Sequence, residues 1–184
     1  MSFYVQPLHI VRDDQHIDMS LQALQTVYRK DELYFQLLTK RACQPIELAF
    51  DARSLHDHPL SYVQYASVRI QTIFNELTAR GLTFVEAEGI AATHRLVLEE
   101  ERVLLNTLAS YSETIVHAAL QYEPHIIVHY VRTLAAEFHA YYNACVILVD
   151  DAVLRSARLT LIKAVNQLLM NGCMLLGVSL PETM

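Results

Sequence analysis

Turn punctuation is scarce in this chain, with four glycines and five prolines in 184 residues. A sheet of many short strands needs a turn residue at every corner, whereas a long helix needs one only at each end. Apolar residues make up 53% of the chain, enough for one sizeable core. The expected body is therefore all-α, a bundle of long helices joined by short loops.

The start departs from that pattern. SFYVQPLHIVRDDQHIDMS alternates apolar and polar residues around RDDQ, the mark of a short β-hairpin, with Phe3, Val5, Leu8, Ile10, Ile17 and Met19 on its buried faces. Two strands are unstable alone, so the hairpin must lie against the helices or a partner. From Leu21 to Lys40 the apolar spacing turns helical, and IELAFDARSLH after Pro45 reads as a further helical turn or two. Asp57 is placed to cap the next helix, with Pro59 in its first turn; that helix runs to Arg80 and stops at Gly81. EAEGIAATH reads as a loop or weak helix, and SYSE from Ser110 has the capping-box spacing between two helices. Pro124 opens an aromatic-rich helix reaching Val149, and the last long helix begins behind Asp150 and Asp151 and ends before Gly172.

Charge limits the partners. A formal net charge of −6 leaves no broad basic field for nucleic acid, so any RNA contact must be local, weak and salt-sensitive. Cys43, Cys145 and Cys173 have no paired spacing and the chain has no signal-peptide pattern at its start, which reads as a reduced, cytoplasmic protein. The longest apolar run, Ala144 to Val149, is far below the roughly 20 residues that span a bilayer, so no membrane is expected. His125 and His129 stand at i and i+4, but IIV between them lacks the metalloprotease glutamate and no third ligand is spaced nearby. G-x-S-x-G, Walker A and G-x-G-x-x-G are missing too, so no metal, cofactor or catalytic residue is expected.

On the helix from Pro59, helical spacing collects Val63, Ala66, Ile70, Phe74 and Leu77 in one apolar arc. Tyr62, Tyr65 and Arg69 flank it, opposite Gln64, Gln71 and Asn75. Spacing alone leaves two readings open: rings that extend the core with hydroxyls at the rim, or a surface that stacks on bases and meets phosphate. Tyr130, Leu134, Phe138, Tyr141, Cys145 and Leu148 form a second stripe, with Arg132, His139 and Asn143 on the polar side of that helix. Arg158 falls inside the apolar arc of the last helix, where a charge needs a partner; an ion pair with a carboxylate such as Glu137 is favoured over a phosphate contact.

HPLSYVQYASVRI, EEERVLL, YEPHIIVHYVRTLAAEFHAYYNACVIL and ARLTLIKAVNQLLMNGCMLLGVSLPETM together resemble the C-terminal part of arginyl-tRNA synthetase, from about Leu48 to the last residue. That resemblance implies the α-helical DALR anticodon-binding domain of the class I synthetases, occupying residues 21–184. PLHIVRDDQHIDMSLQ resembles the end of the family's catalytic domain, so residues 1–20 are expected to be a β-hairpin from that domain with an eroded KMSKR-type loop. Asp18 and Leu21 stand where the family commonly has lysines, and an acid there would repel a triphosphate, so no ATP binding is expected. KDELYF resembles the DALRFF signature, with Tyr34 in place of its arginine.

The HIGH-bearing nucleotide fold is not in the sequence, so the resemblance implies a free-standing or paralogous, non-catalytic relative that does not aminoacylate alone. Its expected partner is an arginine-type tRNA, bound weakly at the anticodon stem-loop. By position, the anticodon-facing residues are Tyr62, Tyr65, Arg69, Tyr142, Asn143 and Met184, with Thr183 where the family usually has arginine. Two other roles stay open: a protein-interaction or regulatory module, possibly a homodimer, and a subunit that completes a split synthetase.

Overall fold

The computed structural model describes residues 8–12, 15–17, 21–41, 43–49 and 58–181. Two strands, β1 (Leu8–Arg12) and β2 (Gln15–Ile17), pair antiparallel with Ile10 opposite Ile17. Phe3, Val5, Asp18, Met19 and Ser20 lie outside the described residues. The described part of the segment after Pro45, residues 46–49, is not helical. Ile46–Ala49 forms β3, which runs parallel to β1 with Leu8 opposite Ile46 and completes a sheet of order β2-β1-β3. β1 offers a second edge of N–H and C=O groups to be paired, and that pairing outweighs the weak helical spacing. β3 comes from beyond residue 20, so the sheet draws on both sides of the expected domain boundary.

The helical stretch from Leu21 to Lys40 holds two helices, α1 (Leu21–Val27) and α2 (Lys30–Leu37). Arg29 is extended at φ −63°, ψ 150°, and its N–H donates to Glu32 Oε2 at 3.0 Å. Asp31 and Glu32 favour a fresh helix N-terminus there, and the break accompanies burial of Tyr28.

Among the described residues from Pro59 onward every regular element is a helix: α3 (Pro59–Ala79), α4 (Glu86–Ala91), a 3-10 turn at Thr93–Arg95, α5 (Glu99–Ala109), α6 (Tyr111–Gln121), α7 (His125–Ala144) and α8 (Ala152–Leu175). The cap of α3 is His58, whose Nδ1 accepts from the Leu60 N–H at 3.2 Å; Asp57 lies outside the described residues. Gly81, at φ +66°, takes the left-handed turn that ends the helix. The expected capping box at Ser110 is not formed. Ser110 sits in helical backbone and its hydroxyl donates back to the Thr107 carbonyl at 2.9 Å.

α3, α5, α7 and α8 enclose the main core, which includes Leu60, Val63, Ala66 and Ile70 on α3, Leu104 on α5, Leu134, Phe138 and Tyr141 on α7, and Leu161, Ile162 and Val165 on α8. α7 stops at Ala144, five residues short of the expected Val149, because Cys145 turns extended. The carbonyls beyond it are gathered by arginines of α8: Arg158 donates to Val146 O at 2.7 Å, and Arg155 to Val149 O at 2.7 Å and Asp150 O at 3.1 Å. Asp151 caps α8 through the Val153 and Leu154 N–H groups, and the Arg95 guanidinium holds its carboxyl down at about 2.

Arg158 does pair with a carboxylate, but with Glu101 rather than Glu137. Its Nε donates to Glu101 Oε1 at 2.9 Å, while Glu101 Oε2 accepts from the Leu98 N–H at 3.0 Å. The Tyr141 hydroxyl also approaches Oε1, at 3.4 Å. Glu99 and Glu100 flank it in sequence, yet Glu101 is the member of that triplet that is fully buried.

Gly172 lies inside α8, not past its end; the helix continues to Leu175, and Gly177 at φ +71° follows. The reason is the crossing with α7, where a Cβ on residue 172 would stand 2.4 Å from Val131 Cγ1. Gly172→Ala should therefore destabilise the fold by about 1 to 3 kcal/mol through overpacking, despite alanine's better helix propensity. Urea denaturation checks this; an increase in stability would mean that Val131 yields freely.

Candidate nucleic-acid interface

Helical spacing sets Tyr62, Tyr65 and Arg69 along one flank of α3, and α7 crosses there with His139 and Tyr142. Tyr62 is 46%, Tyr65 44% and Tyr142 39% exposed, so each side chain is partly covered and partly open to solvent. The Arg69 guanidinium is held between two of them, its Cζ 4.4 Å from the Tyr65 ring centroid and 4.7 Å from that of Tyr142. A planar, delocalised cation stacks in this way while keeping N–H edges for an acceptor.

The floor is His139. The expectation that it lies on the polar side of its helix is wrong, because α3 packs over it and leaves it 5% exposed. Its Nε2 lies 3.2 Å from the Tyr62 carbonyl, and its Nδ1 3.4 Å from Arg69 NH1. Those partners fit the tautomer that donates from Nε2 and accepts at Nδ1. The imidazole lies 4.5 Å from the Tyr62 ring and is stacked at 5.7 Å under Tyr65. Burial holds its pKa below 6.5; the Tyr62 carbonyl opposes that shift, and the Arg69 charge adds to it.

Below pH 6.5 the unfolded chain takes up a proton that folded His139 resists, so stability declines as pH falls from 6.5 toward the lowered value. Protonation also removes the acceptor facing Arg69. The loss of stability between pH 7.5 and pH 5.5 should be smaller in His139→Gln, whose amide can donate to Tyr62 and accept from Arg69 without titrating. Chemical denaturation at the two pH values decides this, and equal losses in both proteins would count against it.

The structure thus brings together Tyr62, Tyr65, Arg69 and Tyr142. Asn143 is exposed beside Tyr142 and makes no hydrogen bond among the described residues. Met184 and Thr183 lie outside the described residues. The tail before them crosses another flank of α3, where Gln64 Nε2 donates to Ser179 O at 2.9 Å and the Asp31 carboxylate accepts from the Ser179 N–H at 2.8 Å and from its hydroxyl. The member that spacing misplaced is His139. Its one signal is adjacency to Phe138 in the aromatic stripe, which a single-helix wheel cannot turn into burial.

Three half-exposed rings and one cation can stack on unpaired bases and meet a phosphate, an arrangement that suits a single-stranded loop better than a regular duplex. Among the described residues no three His, Cys, Asp or Glu side chains converge as metal ligands do, and no helix is long and apolar enough to cross a membrane.

A family model described as the DALR anticodon binding domain matches residues 63–184. The arginine–tRNA ligase of Halorhodospira halophila is 42% identical over 168 residues, 90% of this chain and 29% of its own length. That of Vesicomyosocius okutanii is 37% identical over 98% of this chain and 32% of its own length. The chain thus spans about a third or less of these relatives. Two solved structures share the fold. One from Campylobacter jejuni, described as an arginyl-tRNA synthetase, has a TM-score of 0.83 at 19% identity, covering 98% of this chain and 40% of that one. The Thermus thermophilus arginyl-tRNA synthetase has a TM-score of 0.75 at 21% identity, covering 97% and 35%.

Proposed function

The chain belongs to the DALR anticodon binding domain family, and from that premise we propose that it binds the anticodon stem-loop of an arginine tRNA. Tyr62, Tyr65, Arg69 and Tyr142 form the contact surface, extended by Asn143 and by Met184 at the tail. The observation that carries the reading is the Arg69 guanidinium clamped between two half-exposed tyrosine rings. Core tyrosines need no such clamp, whereas a fixed cation between π-faces prepares both contacts that a loop nucleotide offers, base and phosphate. In this reading the domain is non-catalytic, and aminoacylation belongs to the part of the relatives beyond the 29% matched here. Residues 1–20 are read as the join to that part and residues 21–184 as the anticodon domain, with β3 tying the two together.

The net charge of −6 assigns most of the affinity to stacking. Affinity for the loop should fall with salt at a slope of about −0.7 per phosphate contacted, far short of the steep dependence of a basic-patch binder. Titration of the purified protein with arginine tRNA and with an unrelated tRNA, at two salt concentrations, tests the proposal. Preference for arginine tRNA at both salts is expected. Equal or absent binding of the two at low salt, together with a dimer by light scattering, would favour a protein-contact role instead.

A further inference from the structure

Where α2 ends and α7 begins, the surface opens into a cleft of about 360 Å³, with Gln36, Lys40, Arg41, His125, His129 and Arg132 on its walls. Arg132 is about ten residues before Tyr142 on α7, roughly 15 Å along the helix axis, so the cleft is separate from the tyrosine surface. Three full cations meet here. Glu123 contacts one side of the group, 3.2 Å from Arg41 Nε and 3.8 Å from His125 Nε2, so Arg41 is already engaged there. Lys40 and Arg132 form no ion pair among the described residues.

Two further observations mark the same place. Gln36 Oε1 and His125 Nδ1, on side chains that line the cleft, are buried without a hydrogen-bond partner among the described residues, a costly state that rotation of either side chain toward a bound ligand would relieve. Turning over the Gln36 amide, whose O and N are assigned from context, would present a donor in place of the orphaned acceptor. The N-termini of two long helices, α3 at Pro59 and α7 at His125, also border the cleft and add their positive dipole ends. The local potential registers in His129, whose pKa is held below 6.5 first by burial and then by His125, Arg132 and Lys40.

We infer that this cleft is a binding site for a phosphate group, held by Arg132, Lys40 and Arg41 with the His125 and His129 imidazoles as donors. Arginine forks and a lysine suit the oxygens of a phosphate better than a carboxylate ligand, because each guanidinium edge can meet two of them at once. The phosphate is either a free anion or one link of an RNA backbone, and the inference stands without the tyrosine surface being an RNA site.

The test follows the histidine ring signals of the full chain by NMR above pH 7, titrating inorganic phosphate against sodium chloride at constant ionic strength. Saturating shifts at His125 and His129 are expected, with none at His94 and His117, and the His129 pKa should rise on binding. The double variant Lys40→Gln/Arg132→Gln, with both changes at exposed positions, should keep its circular dichroism and weaken phosphate binding at least about tenfold. Shifts that fail to saturate, that match the chloride control, or that persist in the double variant would overturn the assignment to an adventitious ion only. A second arm adds an RNA stem-loop. Shifts at His125 and His129 that phosphate competes away assign the backbone as the source, and silence there beside saturable phosphate binding assigns the free anion. Tyr65→Ala should retain phosphate binding, which separates failure here from failure of the anticodon reading.

Discussion

Replacing Arg158 with methionine should cost the fold about 3 to 5 kcal/mol. Glu101 is fully buried and would lose its guanidinium partner, keeping the Leu98 N–H and the distant Tyr141 hydroxyl. Methionine restores much of the volume, so the loss is electrostatic rather than a cavity. The Val146 carbonyl would also lose its donor, which loosens the turn between α7 and α8. Against a total stability of about 5 to 15 kcal/mol, such a change comes close to unfolding the protein. Adding Glu101→Leu should recover most of the loss, because removing both charges together leaves no buried ion. Urea denaturation of the two variants measures both effects; a loss below about 1 kcal/mol in Arg158→Met would mean that water reaches Glu101.

Tyr65→Ala should weaken binding of an arginine anticodon stem-loop by about 1 to 3 kcal/mol, or roughly 5- to 150-fold, while leaving the fold nearly as stable. Two losses coincide there. The base loses a ring to stack on, and Arg69 loses one side of its clamp, so its cation is no longer fixed over the site. Tyr65→Phe keeps both interactions and should bind within about twofold. Tyr122, 91% exposed and outside the cluster, is the control: Tyr122→Ala should leave binding unchanged. If Tyr122→Ala and Tyr65→Ala weakened binding alike, stacking would be non-specific.

α3 was legible from Pro59 to its stop at Gly81, because a proline, a periodic apolar arc and a glycine act within one helix. The flank position of Tyr62, Tyr65 and Arg69 was legible for the same reason. What spacing could not give was anything decided by a second helix. Arg158 was recognisable as a charge in need of a partner, but the choice of Glu101 over Glu137 depends on how α5 packs against α8. Gly172 looked like a stop signal and is a contact point, since its missing Cβ makes room for Val131. The Ile46–Ala49 strand is the same case: its partner edge, β1, lies more than thirty residues away in sequence. His139 was misplaced because burial by α3 is invisible on the wheel of α7, and with it went the hydrogen bonds that floor the tyrosine cluster.

Whether the tyrosine and arginine surface meets RNA is tested by a tyrosine ring NMR titration with an arginine anticodon stem-loop. Saturating shifts are expected at Tyr62, Tyr65 and Tyr142, with the His139 ring beneath them moving in step and Tyr122 unmoved. If the RNA binds while those three rings stay still, the RNA face lies elsewhere on the molecule, and the clamped arginine is packing alone.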